Sequence, residues 1–296
     1  MHRAASAGRR RLGLMRLATW NVNSVRARVD RIVGFAVRES IDVLAMQEIK
    51  CKAEQFPFEQ FEDAGYHVEA HGFSQWTGVA IASREPLTDV SHAFPGMPGF
   101  AKDHVGDDAP QEARAIGATV GGIRVWSLYV PNGRALEDPH YYYKLEWLSA
   151  LQQYTADALA GDPDLALALV GDFNIAPTDA DNGDPAVVPG FSTHVSQPER
   201  DAFAALESAG LTDVVRPLVP GGFTYWDYKR LRFPKNEGMR IDFILGSHAF
   251  SNAVTGATIH RNERKGEAPS DHVPVVVDLD LTSPEEEDDD RPMIFG

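Results

Sequence analysis

Acidic and amide side chains follow several apolar segments of this 296-residue sequence, where their oxygen atoms could bind a cation or a phosphate. These side chains are Asn21, Glu48, Asp172 with Asn174, Asp242, and Asp271 with His272. A single Asp after a strand is usually a turn or helix-cap residue, but five such endings can converge on one edge of an α/β sandwich. The chain has one cysteine, so any metal must be held by oxygen or imidazole groups. Carboxylate and amide oxygens suit Mg²⁺.

The individual motifs also have plain structural explanations. Gly171-Asp172-Phe173-Asn174 places two polar side chains on one side of an extended segment, where both could reach one phosphate. Ser270-Asp271-His272 sets a carboxylate beside an imidazole before a strand, although a turn with a surface His would look the same. An ordinary ion pair would explain Arg240-Ile241-Asp242, and a core aromatic would explain Tyr129.

The segments that must position these residues alternate between strands and helices. Strands are predicted at 17–21, 42–46, 79–83, 115–120, 123–130, 165–170, 240–245, 253–260 and 273–281. Helical spacing of apolar residues predicts helices over 25–36, around 145–154 and over 199–208. So many strands with few helices between them exclude a purely parallel βαβ array and favour a sheet-rich α/β sandwich. The long connections 85–113 and 176–198 are rich in Pro, Gly and Asp, which is typical of functional loops.

Composition narrows the class of protein. Hydrophobic residues make up 43% and charged residues 24%, which is ordinary for a globular chain and excludes wholesale disorder. The net charge of −15 argues against a simple basic nucleic-acid binder. Positive charge is nevertheless concentrated at 229–240, as either a phosphate-facing patch or a solvated loop. This basic cluster consists of Lys229, Arg230, Arg232, Lys235 and Arg240, with Glu237 as the one acid among them.

The chain is predicted to be one catalytic domain over 15–281. Residues 1–14 are expected to be a disordered leader, and the acidic residues 282–296 a disordered, solvated tail whose partner, if it has one, is unknown. No apolar run approaches the roughly 20 residues that a membrane span needs. The single Cys51 excludes an intramolecular disulfide and fits a reducing cytosol, so we expect a cytoplasmic monomer.

In order along the chain, several stretches resemble the exonuclease III family of AP endonucleases, within the wider endonuclease/exonuclease/phosphatase superfamily. They are ATWNVNSVRAR (18–28), LAMQEIK (44–50), GVAIASR (78–84), YVPNG (129–133), VGDFNIAPTDAD (170–181), TYWDY (224–228), GMRIDFIL (238–245) and PSDHVPV (269–275). The resemblance implies an α/β fold: a four-layer, DNase I-like sandwich of two mixed β-sheets packed face to face and flanked by helices.

The resemblance also implies a role for each matched residue. Glu48 would be the principal ligand of Mg²⁺, with Mn²⁺ as an alternative ion. The residues that would complete or flank the metal shell are Asn21, Asp172, Asn174, Asp271 and His272. Asp172 would transfer a proton, and His272, oriented by Asp242, would contact the phosphate or activate water. Asn174 would stabilise the transition state, and Tyr129 would contact the phosphate. The expected substrate contacts are Arg26, Tyr129, Tyr225, Trp226, Met239 and Arg240, although core packing would also explain Tyr225, Trp226 and Met239.

The activity implied by the resemblance is Mg²⁺-dependent DNA repair. Its substrate would be double-stranded DNA with abasic sites or 3′ ends, and it would combine abasic-site incision, 3′→5′ exonuclease action and 3′-end cleaning. One alternative is a phosphatase or a lipid or inositol phosphodiesterase of the same superfamily, and another is a binding module without activity. The basic cluster between TYWDY and RIDF favours DNA. The complete set of acids, amides and histidine disfavours an inactive module.

Overall fold

The computed structural model describes residues 13–102, 104–106 and 109–282. The expected leader at 1–14 and acidic tail at 282–296 therefore lie almost wholly outside the described residues. Leu14 already belongs to the first strand, one residue before the expected domain start. Within the described ranges, no helix is long and apolar enough to cross a membrane.

The strands follow one another as β1 (Leu14–Asn21), β2 (Val43–Gln47), β3 (His67–His71), β4 (Val79–Ser83), β5 (Thr88–Ser91), β6 (Gly99–Ala101), β7 (His104–Gly106), β8 (Ala115–Val120), β9 (Ile123–Tyr129), β10 (Leu167–Asp172), β11 (Thr212–Asp213), β12 (Asp242–Gly246), β13 (Val254–Ile259) and β14 (Val275–Asp280). The helices are α1 (Val29–Arg38), α2 (Phe58–Asp63), α3 (Pro139–Gly161), α4 (Gln197–Ser208), α5 (Arg232–Lys235) and α6 (His248–Ala253).

Two six-stranded mixed sheets carry the fold. The first has the order β13-β14-β1-β2-β4-β3, and the second has the order β11-β12-β10-β9-β8-β5. Each sheet contains one central parallel pair, β1 with β2 and β9 with β10, while its other pairs are antiparallel. A separate hairpin is formed by β6 and β7.

Alternating side chains divide the interior into three apolar layers. Along β1, Leu17 points into the core between the two sheets, while Ala18 and Trp20 face the opposite side. Trp20 packs there against Phe35 of α1, with ring centroids 5.4 Å apart. The outer face of the second sheet packs against α3 and α4 through residues such as Trp147. Helix, sheet, sheet and helix therefore form four layers, and the predicted fold is confirmed.

The expected strands appear within a few residues of their predicted bounds, but several short strands were missed. The expected loop 85–113 contains β5 and the β6–β7 hairpin, and β3 and β11 were not predicted. These strands are short or lie at sheet edges, and β3 (His67–His71) carries two histidines and a glutamate, so their apolar alternation is weak. The helix expected from Val25 begins at Val29, after a turn in which the Arg28 N–H donates to Val25 O at 3.1 Å.

The strand registers bring the polar strand ends to one edge of the sandwich. Asn21 is paired with Gln47, next to Glu48, at the carboxyl ends of β1 and β2. In the second sheet, Asp172 at the end of β10 is paired with Tyr129 on one side and with Asp242 on the other. The two sheets thus present their acidic ends to each other.

Candidate active site

Three predicted site residues from both sheets meet at this edge. Glu48, Asp172 and His272 each offer a ligand atom, and these atoms lie within 4.8 Å of one another. Asn21 joins the carboxylates, because its Nδ2 donates to Glu48 Oε1 at 2.8 Å and to Asp172 Oδ2 at 3.0 Å. Its Oδ1 accepts from Asn23 N at 3.1 Å, so ligation of a metal by the Asn21 oxygen would need the amide to turn over.

His272 forms a buried charged pair with Asp242. The His272 Nδ1 donates to Asp242 Oδ2 at 2.8 Å and lies 3.1 Å from Oδ1, while Nε2 is 3.8 Å from Asp172 Oδ2. Burial alone would lower the pKa of His272, but the carboxylates of Asp242 and Asp172 outweigh it and raise the pKa to about 10. The imidazole is therefore protonated at neutral pH and acts as a hydrogen-bond donor. The predicted role as a metal ligand would require loss of that proton.

Asp172 is poised to exchange a proton near neutral pH. Burial raises its pKa to about 7; His272 opposes the rise, whereas the nearby carboxylates of Asp242 and Glu48 add to it. A general acid or base works best when its pKa lies close to the working pH. This environment suits the predicted proton transfer by Asp172.

Glu48 is held in its ionised form by a lysine that the sequence reasoning missed. Burial would raise the pKa of Glu48, but Lys50 and the Asn21 amide outweigh burial and lower it. The Lys50 Nζ lies 2.7 Å from Glu48 Oε2 and donates to Asn23 Oδ1 at 2.5 Å. Lys50 and Asn23 each lie two residues after a predicted site residue, which is the signal that could have identified them.

Four non-glycine residues of the site adopt the left-handed backbone conformation. The φ angles are +44° for Asn23, +51° for Glu48, +51° for Lys50 and +52° for Asn174. Such conformations cost free energy and tend to cluster at functional sites. The expectation of an extended Asp172–Asn174 segment was wrong, because β10 ends at Asp172 and the chain turns at Asn174.

Asn174 lies beside the carboxylates, but its side chain is bonded to other residues. Its N–H donates to Asp172 Oδ1 at 2.9 Å, and its side-chain Nδ2 donates to Val130 O at 3.0 Å. Its Oδ1 accepts from Asn132 Nδ2 at 3.2 Å. These bonds suit a residue whose backbone N–H orients Asp172. They suit the predicted role of Asn174 as a metal ligand less well.

The two site tyrosines flank the charged groups. Burial and the nearby Glu48 carboxylate raise the pKa of Tyr129, so its hydroxyl keeps its proton and can donate. The Tyr225 ring lies 4.9 Å from the His272 ring, between centroids. Asp271 is set apart from the three-ligand group, because its Oδ1 accepts from Asn23 Nδ2 at 3.0 Å.

The structure corrects three of the predicted substrate contacts. Arg240 is only 4% exposed, and its guanidinium donates to Asp181 Oδ1 at 2.7 Å and to Asp213 Oδ2 at 2.6 Å, so it is not available to DNA. Trp226 is 0% exposed and Met239 3% exposed, so neither can form the wall of an open sugar pocket. Core packing therefore explains both side chains, and Tyr225 alone of that trio reaches the site.

The basic cluster at 229–240 also contains both buried and exposed side chains. Arg232 is buried and pairs with Asp184 at 2.9 Å and with Glu237. Lys229, Arg230 and Lys235 are exposed, as is the predicted contact Arg26. Only the exposed members of the cluster can face a phosphate backbone.

The donor set suits a hard divalent cation. Glu48 and Asp172 present carboxylate oxygens within reach of one another. Oxygen ligands of this kind are those that Mg²⁺ and Mn²⁺ prefer. The cluster can therefore hold a metal ion.

The sequence that forms this site matches a known family. The sequence profile of the Endonuclease/Exonuclease/phosphatase family matches residues 18–272. The chain belongs to this family. The predicted resemblance is thereby confirmed.

Relatives within the family are similar over nearly their whole length. Exodeoxyribonuclease III of Haemophilus influenzae is 30% identical over 275 residues, covering 88% of this chain and 98% of the relative. A Neisseria 3′ phosphatase bound to a product DNA hairpin is 36% identical with a TM-score of 0.81, covering 90% of this chain and 99% of that one. An AP endonuclease from Archaeoglobus fulgidus is 31% identical with a TM-score of 0.80, covering 90% and 100%.

Proposed function

We propose that this protein is a Mg²⁺-dependent DNA repair phosphodiesterase of the exodeoxyribonuclease III type. It incises duplex DNA at abasic sites, degrades DNA from 3′ ends and removes 3′ blocking groups. The observation that carries this proposal is the convergence of Glu48, Asp172 and the His272–Asp242 pair at the meeting edge of two sheets. The relatives, named as exodeoxyribonuclease, 3′ phosphatase and AP endonuclease, support the same range of activities.

The side chains divide the hydrolytic work between them. The His272 imidazolium, held by Asp242, donates from Nε2 to a phosphate oxygen and meets the negative charge that develops there. Asp172, with a pKa near 7, takes a proton from the attacking water or gives one to the leaving oxygen. The Tyr129 hydroxyl donates a further hydrogen bond to the phosphate. Orientation of the water supplies about 7–11 kcal/mol of the barrier reduction.

Glu48 would be the principal ligand of the metal ion, which leaves Asp172 for the proton transfer. A bound Mg²⁺ supplies positive charge that stabilises the phosphate oxygens. Asn21 fixes the two carboxylates relative to each other through its hydrogen bonds of 2.8 and 3.0 Å. Lys50 keeps Glu48 ionised and ready to bind a cation.

Exposed basic residues beside the site favour DNA over a small lipid headgroup. The Tyr228 hydroxyl accepts from Asn23 Nδ2 at 3.2 Å, which ties the start of the basic cluster to the site. Lys229 and Arg230 follow directly and are exposed. On a chain of net charge −15, local cations are needed to bind a polyanion. We expect the enzyme to act as a cytoplasmic monomer with its catalytic domain over 15–281.

A matched set of substrates tests this function. The set comprises a duplex with one abasic site, a duplex with a recessed 3′ hydroxyl, a duplex with a 3′ phosphate, and a phosphoinositide, each with Mg²⁺ or with chelator. We expect metal-dependent turnover of the duplexes and none of the phosphoinositide. Turnover of the phosphoinositide alone would replace this proposal with the lipid phosphodiesterase alternative. Equal turnover in chelator would contradict the role of the metal.

A further inference from the structure

A completely buried ion pair lies behind the site without touching its carboxylates. Lys144 of α3 and Glu199 of α4 are each 0% exposed, and the Lys144 Nζ donates to Glu199 Oε1. Burial lowers the pKa of Lys144, and Lys144 outweighs burial to lower the pKa of Glu199, so the carboxylate remains ionised. Neither residue belongs to the catalytic set described above.

The lysine is directed at the backbone of the catalytic loop. Its Nζ donates to Asn174 O at 2.7 Å and lies 3.4 Å from Asn132 O. His194 Nδ1 donates to the same Asn174 carbonyl at 2.5 Å. Burial and Lys144 lower the pKa of His194 to about 4, so the ring is neutral and this nitrogen carries its proton. A carbonyl oxygen has two lone pairs, and both are used here.

Glu199 holds both of these donors in place. Its Oε1 binds Lys144 and also accepts from His194 N at 2.9 Å. Its Oε2 accepts from Ser196 N at 3.1 Å and from Ser196 Oγ at 2.6 Å. One carboxylate therefore fixes the ammonium and the segment that carries the imidazole.

The clamped carbonyl belongs to the residue that orients Asp172. Asn174 is held at φ +52°, and its N–H donates to Asp172 Oδ1 at 2.9 Å. Its side chain is bonded to Val130 O at 3.0 Å. The clamped C=O and this N–H belong to consecutive peptide units that share the Asn174 Cα, so a displacement of the carbonyl would also shift the N–H and with it the direction of the Asp172 carboxylate. Positioning errors of about 1 Å are enough to cost about 10²-fold in rate.

Stability alone is a weak explanation for this pair. Removing two charges from water is costly, and well-packed apolar side chains of similar volume are often as good or better for folding. We propose that Lys144 and Glu199 are positioning residues that clamp the Asn174 carbonyl and thereby aim the Asp172 carboxylate for phosphodiester hydrolysis. This role rests on the proposed function.

The competing explanation is that Glu199 merely caps α4. Ser196 and Glu199 form the capping box of that helix, so a single substitution could disturb folding and activity together. A test must therefore restore stability without restoring the clamp. Lys144→Met with Glu199→Leu replaces the pair by apolar side chains of similar size. Lys144→Met with Glu199→Gln keeps an acceptor oxygen for the cap.

The matched control breaks an ion pair elsewhere. Arg216→Met removes a guanidinium that pairs with the buried Asp181 and donates to Pro220 O, with no contact to the site residues. For each variant we would measure the melting temperature, kcat and KM on duplex DNA with Mg²⁺, and hydrogen exchange of the Asn174 amide in the metal-free protein.

We expect Lys144→Met alone to lower the melting temperature and Lys144→Met with Glu199→Gln, which keeps the cap, to recover most of it. In all three, kcat should fall at least tenfold while KM changes less than twofold, and the Asn174 amide should exchange at least tenfold faster. Arg216→Met should leave kcat and this amide unchanged. A double variant with a restored melting temperature, wild-type kcat and a protected Asn174 amide would overturn the clamp. If the wild-type protein cleaves no DNA, the proposed function fails, and exchange at Asn174 still decides whether the clamp exists.

Discussion

The pair formed by Asp242 and His272 allows the sharpest quantitative prediction. Asp242→Asn keeps the shape of the side chain but removes the charge that holds His272 protonated. The His272 side chain is 4% exposed, so solvent cannot replace the lost carboxylate. We expect the imidazole to become neutral at working pH and the cleavage rate to fall.

The size of the effect follows from the pKa. His272 is raised from 6.5 to about 10, a difference of about 3.5 pKa units in favour of the charged form. At about 1.4 kcal/mol per unit, this preference is worth roughly 5 kcal/mol. Without Asp242, burial lowers the pKa while Asp172 and, more weakly, Asp271 still oppose it, so we expect a fall of at least about 2 units. Loss of the positioned acid should then lower kcat by about 10²–10⁴.

Two measurements check this reasoning independently. Nitrogen-15 NMR of labelled histidine gives the pKa of His272 in the metal-free protein. Steady-state kinetics on a duplex with an abasic site, in Mg²⁺ and across pH 6 to 9, give kcat. The variant should show both the lowered pKa and the lowered kcat.

Asp278→Asn is the control, because it makes the same chemical change in β14, where Asp278 pairs with Arg16 at 2.7 Å. It should leave the pKa of His272 and kcat unchanged. A wild-type His272 pKa near 6.5 would refute the electrostatic argument. A loss of kcat below tenfold in Asp242→Asn would refute the catalytic role even if the pKa behaves as expected.

Four further predictions concern other parts of the chain. Glu48→Gln should abolish Mg²⁺-dependent cleavage but leave duplex binding nearly intact. If the duplex affinity in a gel-shift assay fell together with the cleavage rate, the role of Glu48 as metal ligand would be contradicted. Trp226→Ala should lower the free energy of unfolding by about 3–5 kcal/mol, because the side chain is fully buried. Denaturant unfolding measures this loss, and a loss smaller than about 1 kcal/mol would contradict a core role. Burial and His92 lower the pKa of His71 to about 4. Between about pH 6.5 and 4 the unfolded state therefore binds more protons than the folded state. The free energy of unfolding should decrease by up to about 1.4 kcal/mol for each unit by which the pH is lowered in this range. His71→Gln should lessen that loss, and an unchanged pH dependence of unfolding would exclude His71 as its source. Truncation of 282–296 should lower KM for duplex DNA at low salt only, because the acidic residues would compete with phosphates for the basic cluster and salt screens that competition. Truncation of 1–14 should change KM at neither salt concentration. Equal KM values with and without the tail at low salt would exclude self-competition.

The layers of the fold could be predicted from local patterns. Apolar residues occupy the successive positions 43–46 of β2, and the two faces on which they alternate are both buried in the structure. Polar residues that end several strands predicted a common edge, because strand ends of a sandwich lie together. Glu48, Asp172 and His272 meet there as expected. Residue type and position along the chain were sufficient for these conclusions.

The orientation and pairing of charged side chains could not be predicted in the same way. Arg240 lies in a basic stretch of sequence, but its partners Asp181 and Asp213 come from distant segments that meet it only in the folded chain. Trp226 belongs to a motif beside the site and is nevertheless sealed in the core. Whether such a residue faces solvent depends on what packs over it.

The sequence by itself therefore determined a sheet-rich α/β sandwich through the periodicity of its segments, and the family through the resemblance of its motifs, which in turn implied the four layers. Only the tertiary structure decided which charges are free and which are paired. Lys144 and Glu199 are 55 residues apart and look like ordinary polar positions of two helices. Their burial makes each the necessary partner of the other, because a lone charge in that interior would be too costly to keep.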